Sequence, residues 1–216
     1  MRVCAETQGP SPYILLFTTH SKFMLIGLML AVTLQLTGIN AIINFAPSIF
    51  EAAGLGSDNA QLFATVGVGA WNFITTLGAL FLVERVGRRI LILGGLVIMT
   101  VANVIAGVLF IWSTSNIAGI LSIPIVFIFI AGFEISIGCL FWPLLTEIFP
   151  PGVRDAGASL MNGIQWTFNI LLALFFLPLS DLIGQFTVFW IFALFGVLCF
   201  AFLWFKLPET RAEAIE

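Results

Sequence analysis

Glu84-Arg85-Val86-Gly87-Arg88-Arg89 is the stretch on which the reading of the fold turns: three cations and one acid set between two long apolar runs. Arginine resists passage across an inside-negative membrane, so a loop of this kind stays on the cytoplasmic face of a bilayer. Outward from it, apolar stretches run over Phe23–Phe50, Ala60–Val83, Ile90–Trp112, Ile120–Leu145, Ala156–Leu179 and Phe186–Phe205. The eight Lys and Arg residues then sort by side. Arg2 and Lys22 precede the first stretch, and Arg85, Arg88 and Arg89 follow the second. Arg154 follows the fourth, and Lys206 and Arg211 follow the sixth. The alternate connections, Glu51–Asn59, Ser113–Gly119 and Ser180–Gln185, carry no cation. This segregation predicts an all-α integral membrane protein with six transmembrane helices and both termini in the cytoplasm.

Composition points the same way. A chain that is 60% hydrophobic and 9% charged, with a mean hydropathy of +1.13, cannot cover a soluble globule with polar surface. Each stretch supplies the roughly 20 apolar residues that cross a hydrocarbon core of about 30 Å. The longer ones imply tilt or an interfacial extension. Beyond the one basic loop there is no cationic patch, so nothing points to nucleic acid as a partner. Cys4, Cys139 and Cys199 have no metal-ligand spacing, and the two inside spans read as small apolar residues. The pattern calls for no cofactor. In Met1–Ser21 the apolar run Tyr13–Phe17 is too short for the core of a cleavable signal. His20, beside Lys22, reads as a solvated loop residue. The expected organisation is a cytoplasmic segment over 1–22, a six-helix domain over 23–206 and a cytoplasmic tail over 207–216.

Function is sought where polar groups enter hydrocarbon, because an unpaired amide or carboxylate there is costly. In the first stretch Thr33, Thr37, Asn40 and Asn44 are spaced i, i+4, i+7 and i+11, on one helical face, with Gln35 on an adjacent one. Gly38 and Pro47 make that helix breakable. The second stretch repeats the pattern with Thr65, Asn72 and Thr76, and the fifth carries Ser159, Asn162, Gln165, Trp166 and Asn169. Amides of this kind either glue helices together or line a polar cavity. Three stripes of one chemistry favour the cavity. Neutral amides beside the indoles of Trp142 and Trp166 suit an uncharged ligand rich in hydroxyls, such as a sugar or polyol.

Glu134 is the ionisable residue nearest the middle of a span, at an insertion cost of about 2.5–3.5 kcal/mol. Three roles stay open for it: hydrogen-bonding a ligand, carrying a proton, or pinning a helix through backbone donors. With Gly138 and Trp142 it is spaced i, i+4, i+8, in line with an indole. The basic loop reads either as headgroup anchoring or as an ion-pair latch against Glu147 and Arg154.

Taken in order, these residues resemble the C-terminal half of a sugar porter of the major facilitator superfamily, the group holding facilitative glucose transporters and proton–sugar symporters. Gln35-Leu36-Thr37-Gly38-Ile39-Asn40 is similar to that family's QQLSGIN segment, and Asn72 to its eighth-helix Asn. Glu84-Arg85-Val86-Gly87-Arg88-Arg89 matches its E-R-x-G-R-R loop. Glu134 and Trp142, eight apart, match its tenth helix, and Glu147 with Arg154 its E-x6-R spacing. Trp166 and Asn169 fit its eleventh helix, and Pro208-Glu209-Thr210 its PET motif. The resemblance covers about Phe23 to Arg211. It implies one half of a major-facilitator fold, two inverted three-helix repeats, with Gln35, Asn40, Asn72, Glu134, Trp142 and Asn169 lining a monosaccharide site. It also implies a cytoplasmic gate of Glu84, Arg85, Arg88, Arg89, Glu147 and Arg154.

Three departures from the family pattern stand out. Leu34 replaces the first Gln of the pair, Asn44 and Phe45 replace the paired tyrosines, and Ile137, Cys139 and Phe141 stand where prolines are usual. A hinge in that helix is therefore expected to be weaker or displaced. Such transporters rock one six-helix half against the other around a shared site, and this chain supplies one wall. The expectation is hexose transport by alternating access in the plasma membrane, with an N-terminal six-helix half or a second subunit as partner. A half-size or non-transporting sugar sensor is the alternative. An intramembrane enzyme is disfavoured, since one carboxyl without His, a second acid or a Ser–Lys pair is a poor catalytic set.

Overall fold

The computed structural model describes residues 11–44, 58–111 and 116–207, and these are almost wholly helical. Apolar residues run without the period-2 alternation of a strand, and in a bilayer only a helix satisfies its own backbone. In chain order the elements are α1 (Pro12–Thr18), α2 (Ser21–Leu36), α3 (Ile39–Asn44), α4 (Asp58–Val86), α5 (Arg88–Ile111) and α6 (Asn116–Phe133). A π-helical turn over Glu134–Gly138 leads into α7 (Cys139–Ile148), followed by α8 (Arg154–Ile183) and α9 (Gln185–Lys206). Six spans among the described residues are long and apolar enough to cross a membrane, and each falls on one of the six expected stretches. Helix ends differ from the expected bounds by a few residues, because polar end residues such as Arg88 and Arg154 start their helices rather than precede them.

The first span is not continuous. α2 ends at Thr37, Gly38 takes φ +97°, and α3 resumes at Ile39. A side chain on residue 38 would be strained by that φ, and its Cβ would sit 2.5 Å from the Phe192 ring of α9. The breakable position expected from sequence is therefore used at Gly38. Pro47 and Phe45 lie outside the described residues, as do the Asn44 side chain, Cys4, Arg2, Pro208-Glu209-Thr210 and Arg211.

The displaced hinge of the fourth span takes a definite form. Ser136 leaves helical geometry (φ −116°, ψ −109°), and its hydroxyl donates to the Gly132 carbonyl at 2.5 Å. A backbone carbonyl has been taken by a side chain, and the helix widens by one residue to compensate. Pro143 sits in α7, beyond this turn.

α5 packs along α9 and against α6, α2 packs on α8, and α4 lies against the π turn. The core runs through the α5–α9 seam and under the π turn, where Leu96, Met99, Phe129, Ile137 and Phe189 are buried. α1 is a seven-residue helix that buries Leu16 and leaves Tyr13, Ile14 and Phe17 exposed. His20 is only partly exposed, its ring 6.0 Å from that of Phe23, so it is less solvated than its neighbours implied.

Candidate functional site

Two polar clusters lie within the spans, and the break and the π turn explain both. The first is a run of amides. Gln35, on the last turn of α2, is buried, and its Nε2 donates to Oε1 of Gln165 on α8 at 2.5 Å. The Gln35 Oε1 accepts from Asn40 Nδ2 at 2.6 Å and from Asn169 Nδ2 at 3.5 Å. Gln165 Nε2 donates in turn to Asn162 Oδ1 at 3.0 Å. Asn162, Gln165 and Asn169 fall at i, i+3 and i+7, which is one face of α8, and that face meets α2.

The expected stripe of Thr33, Thr37 and Asn40 does not act as a unit. Thr33 donates to the Met29 carbonyl at 2.6 Å and Thr37 to the Thr33 carbonyl at 2.9 Å, so both hydroxyl protons are spent on their own helix. The face was reckoned for a continuous helix. The break at Gly38 re-aims α3 and carries Asn40 onto Gln35 instead.

The second cluster closes on a carboxylate. Asn72 Nδ2 donates to Glu134 Oε1 at 2.7 Å, and Thr76 Oγ1 lies 2.9 Å from Glu134 Oε2. Asn72 and Thr76 are i and i+4 on α4, so one helix face brackets both oxygens. The single Thr76 proton is shared between Glu134 and the Asn72 carbonyl, 2.8 Å away. Glu134 opens the π turn and is 8% exposed. It does tie helices together, but through side-chain donors of α4 rather than through backbone donors. The Thr65 side chain lies outside the described residues.

Trp142 is half-exposed, its ring edge-on to Phe141 at 5.1 Å, and it takes no part in the hydrogen bonds that build either cluster among the described residues. Trp166 is likewise about half-exposed, beside the amides on α8.

At one end of the bundle the starts and ends of α5, α7 and α9 converge. Arg88 Nη1 and Glu147 Oε2 form an ion pair at 2.7 Å, both side chains partly exposed. Arg89 turns elsewhere: its Nη2 donates to the Trp204 carbonyl at 2.6 Å and its guanidinium lies 6.0 Å from the Trp204 ring centroid. Arg154 Nε reaches the Phe149 carbonyl at 3.4 Å, not a carboxylate. Arg85 is exposed, and the Glu84 side chain lies outside the described residues. Of the expected latch, the Arg88–Glu147 arm is formed.

Thr76, Asn162, Gln165 and Asn103 take part in this architecture and are not among the expected site residues. Gln165 joins α2 to α8, and its spacing with Asn162 and Asn169 was the available signal. Asn103, on α5, had none: it is a lone amide in an apolar run.

The geometry can be set beside known proteins. The family model for sugar (and other) transporters matches residues 6–216. The galactose-proton symporter of Escherichia coli (strain K12) is 35% identical over 205 residues, covering 93% of this chain and 44% of that protein. Facilitated glucose transporter member 3 of solute carrier family 2 from Oryctolagus cuniculus is 37% identical over 199 residues, 92% of this chain and 40% of its own length. Among solved structures, the major facilitator superfamily proton:xylose symporter XylE bound to 6-bromo-6-deoxy-D-glucose superposes with a TM-score of 0.77 at 28% identity, covering 89% of this chain and 41% of that one. The inward-open xylose transporter XylE from E. coli gives 0.76 at 27% identity, covering 94% and 42%. The chain spans less than half the length of each of these relatives.

Proposed function

The chain belongs to the sugar (and other) transporter family, and from that premise we propose that it is the C-terminal six-helix half of a monosaccharide transporter. The ligand is a neutral hexose such as glucose. Both termini face the cytoplasm of the plasma membrane, and an N-terminal six-helix half or a second subunit supplies the opposite wall. Rocking of the two walls about the site between them gives alternating access.

The observation that carries this reading is the amide cluster centred on Gln35. Its members are neutral, and each amide both gives and takes hydrogen bonds, which is what a hydroxyl-rich, uncharged ligand requires. A charged solute would need Arg, Lys or an exposed helix N-terminus beside these amides. Gln35, Asn40, Asn72, Glu134 and Asn169 are proposed to bind sugar hydroxyls, with Trp142 packing on a C–H face. Glu84, Arg85, Arg88, Arg89, Glu147 and Arg154 are proposed to form the cytoplasmic gate.

The test is hexose uptake into liposomes. Verified monomers of this chain are expected to give none, and co-assembly with a matching N-terminal half to give sugar-specific flux. Uptake by the monomer would refute the half-transporter reading, and co-assembled halves that ignore every hexose would refute the substrate. Asn40→Ala, Asn72→Ala and Asn169→Ala are each expected to weaken sugar binding by about 1–3 kcal/mol, the usual cost of an unsatisfied buried partner. Unchanged affinity in all three would return these amides to helix glue. Tags in Ser180–Gln185 should be reachable from outside intact cells, whereas tags after Arg89 or at Glu216 should need permeabilised ones.

A further inference from the structure

Asn103 sits midway along α5, 1% exposed, on a buried face otherwise made of Met99, Ala102 and Ala106. Its Nδ2 donates to the Thr37 carbonyl at 3.1 Å. Thr37 closes α2, where Gly38 turns to φ +97° and the helix stops. In an unbroken helix that carbonyl would accept from the N–H four residues ahead; at a helix end it needs an outside donor. Asn103 supplies one. Phe192 of α9 walls the other side of the break, lying where a Cβ on residue 38 would fall.

The other half of the same amide is unused. Asn103 Oδ1 is buried and has no hydrogen-bond partner among the described residues. Buried polar atoms are usually paired, and an unpaired one costs stability. An amide kept only to join helices would gain from satisfying both ends. This one serves a single acceptor, and that acceptor is the break.

Resting on the sugar-transport reading above, we infer that Asn103 is a positioning residue for the sugar site. It caps the break in the first span and thereby fixes where α3 carries Asn40 relative to Gln35, 2.6 Å away. Its amide acts through the Thr37 carbonyl rather than on the ligand. α5 thus sets the geometry of the amide cluster that α2, α3 and α8 contribute to that site.

The experiment uses the complete transporter, this chain with its N-terminal half, carrying Asn103→Leu, which is close in size and has no donor. Two readouts are taken: amide hydrogen exchange over residues 39–44, and binding of D-glucose and D-galactose. Exchange in α3 is expected to speed up about tenfold, the factor set by loss of one buried hydrogen bond, while exchange within α5 stays as it was. Sugar Kd is expected to rise about tenfold. Combined with Asn40→Ala, the substitution should cost nothing more than Asn40→Ala alone, because it acts through Asn40. Unchanged α3 exchange, or losses that simply add, would overturn the inference. Asn103→Ala, which cannot overpack, gives the same comparison if the Leu variant fails to accumulate. If the unaltered protein binds neither sugar, the transport reading falls, and the exchange result still judges whether Asn103 holds the break.

Discussion

The α5–α9 seam and the wall formed by α4 and α8 are built from the same apolar alphabet to opposite ends. In the seam, Gly107 lets the Trp190 indole lie against α5, Gly196 admits Thr100, and the Phe110 and Phe189 rings stack at 5.3 Å. Of the residues in the most apolar part of α5, 56% are buried; for α8 the share is 11% and for α4 17%. Yet α4 and α8 carry Asn72, Thr76, Gln165 and Asn169, whose hydrogen bonds converge inside the bundle. Glycines make the seam close, whereas α4 and α8 turn their amides inward and leave apolar residues such as Phe73, Leu77 and Leu174 exposed. In hydrocarbon both devices hold helices together: small residues let backbones approach, and amides hydrogen-bond across helices.

The contrast breaks most sharply at single glycines. A Cβ on Gly107 would clash with the Trp190 indole edge, whereas one on Gly78 of α4 would meet nothing within 4 Å. Gly107→Ala is expected to cost about 1–3 kcal/mol through overpacking and to lower both membrane accumulation and Tm. Gly78→Ala is expected to be neutral or to gain up to about 1 kcal/mol of helix propensity. Thermal unfolding of the two variants in one detergent checks this. Equal losses at both positions would mean that seam and wall are packed alike.

Where the π turn meets α4, Glu134 sharpens the picture. Glu134→Ala strips the acceptors from Asn72 and Thr76 at once and is expected to weaken sugar binding by about 1–3 kcal/mol, with some loss of stability. Glu134→Gln keeps the shape and one acceptor, and Thr76 can turn its proton to the Asn72 carbonyl, so a milder loss is expected. Residual flux in the Gln variant should depend little on pH. Loss of concentrative uptake with sugar exchange retained would instead make Glu134 a proton carrier.

The spans were legible because hydropathy and cation segregation are global signals, indifferent to local detail. Gly38 was legible as a weak point, but not its consequence. A helical-wheel argument assumes one continuous helix, so it grouped Asn40 with Thr33 and Thr37 when the break in fact hands Asn40 to Gln35. The π turn was invisible for a similar reason: Ser136 has no sequence signature for bonding back to Gly132, and the missing prolines signalled only that a hinge would be altered. The basic loop announced its charge, but charge alone could not say that Arg89 would choose the Trp204 carbonyl over an acid.

The smallest expected effect lies where the seam is tied to α7. Arg88 begins α5, Glu147 lies near the end of α7, and their ion pair at 2.7 Å joins the two. The side chains are 23% and 30% exposed, so the attraction works largely through water and is screened by salt. A double-mutant cycle with Arg88→Ala and Glu147→Ala is the right measurement, because it cancels whatever else either side chain touches. The coupling expected for an exposed pair is about 0–1 kcal/mol, fading at 1 M salt, where the Debye length is about 3 Å. In the gate proposed above, a pair this weak would break and reform at little cost on each cycle. Its removal should therefore alter the rate of sugar exchange more than it alters Tm. A coupling above about 2 kcal/mol that persists in high salt would make the pair a fixed strut, and the seam would then extend to the gate itself.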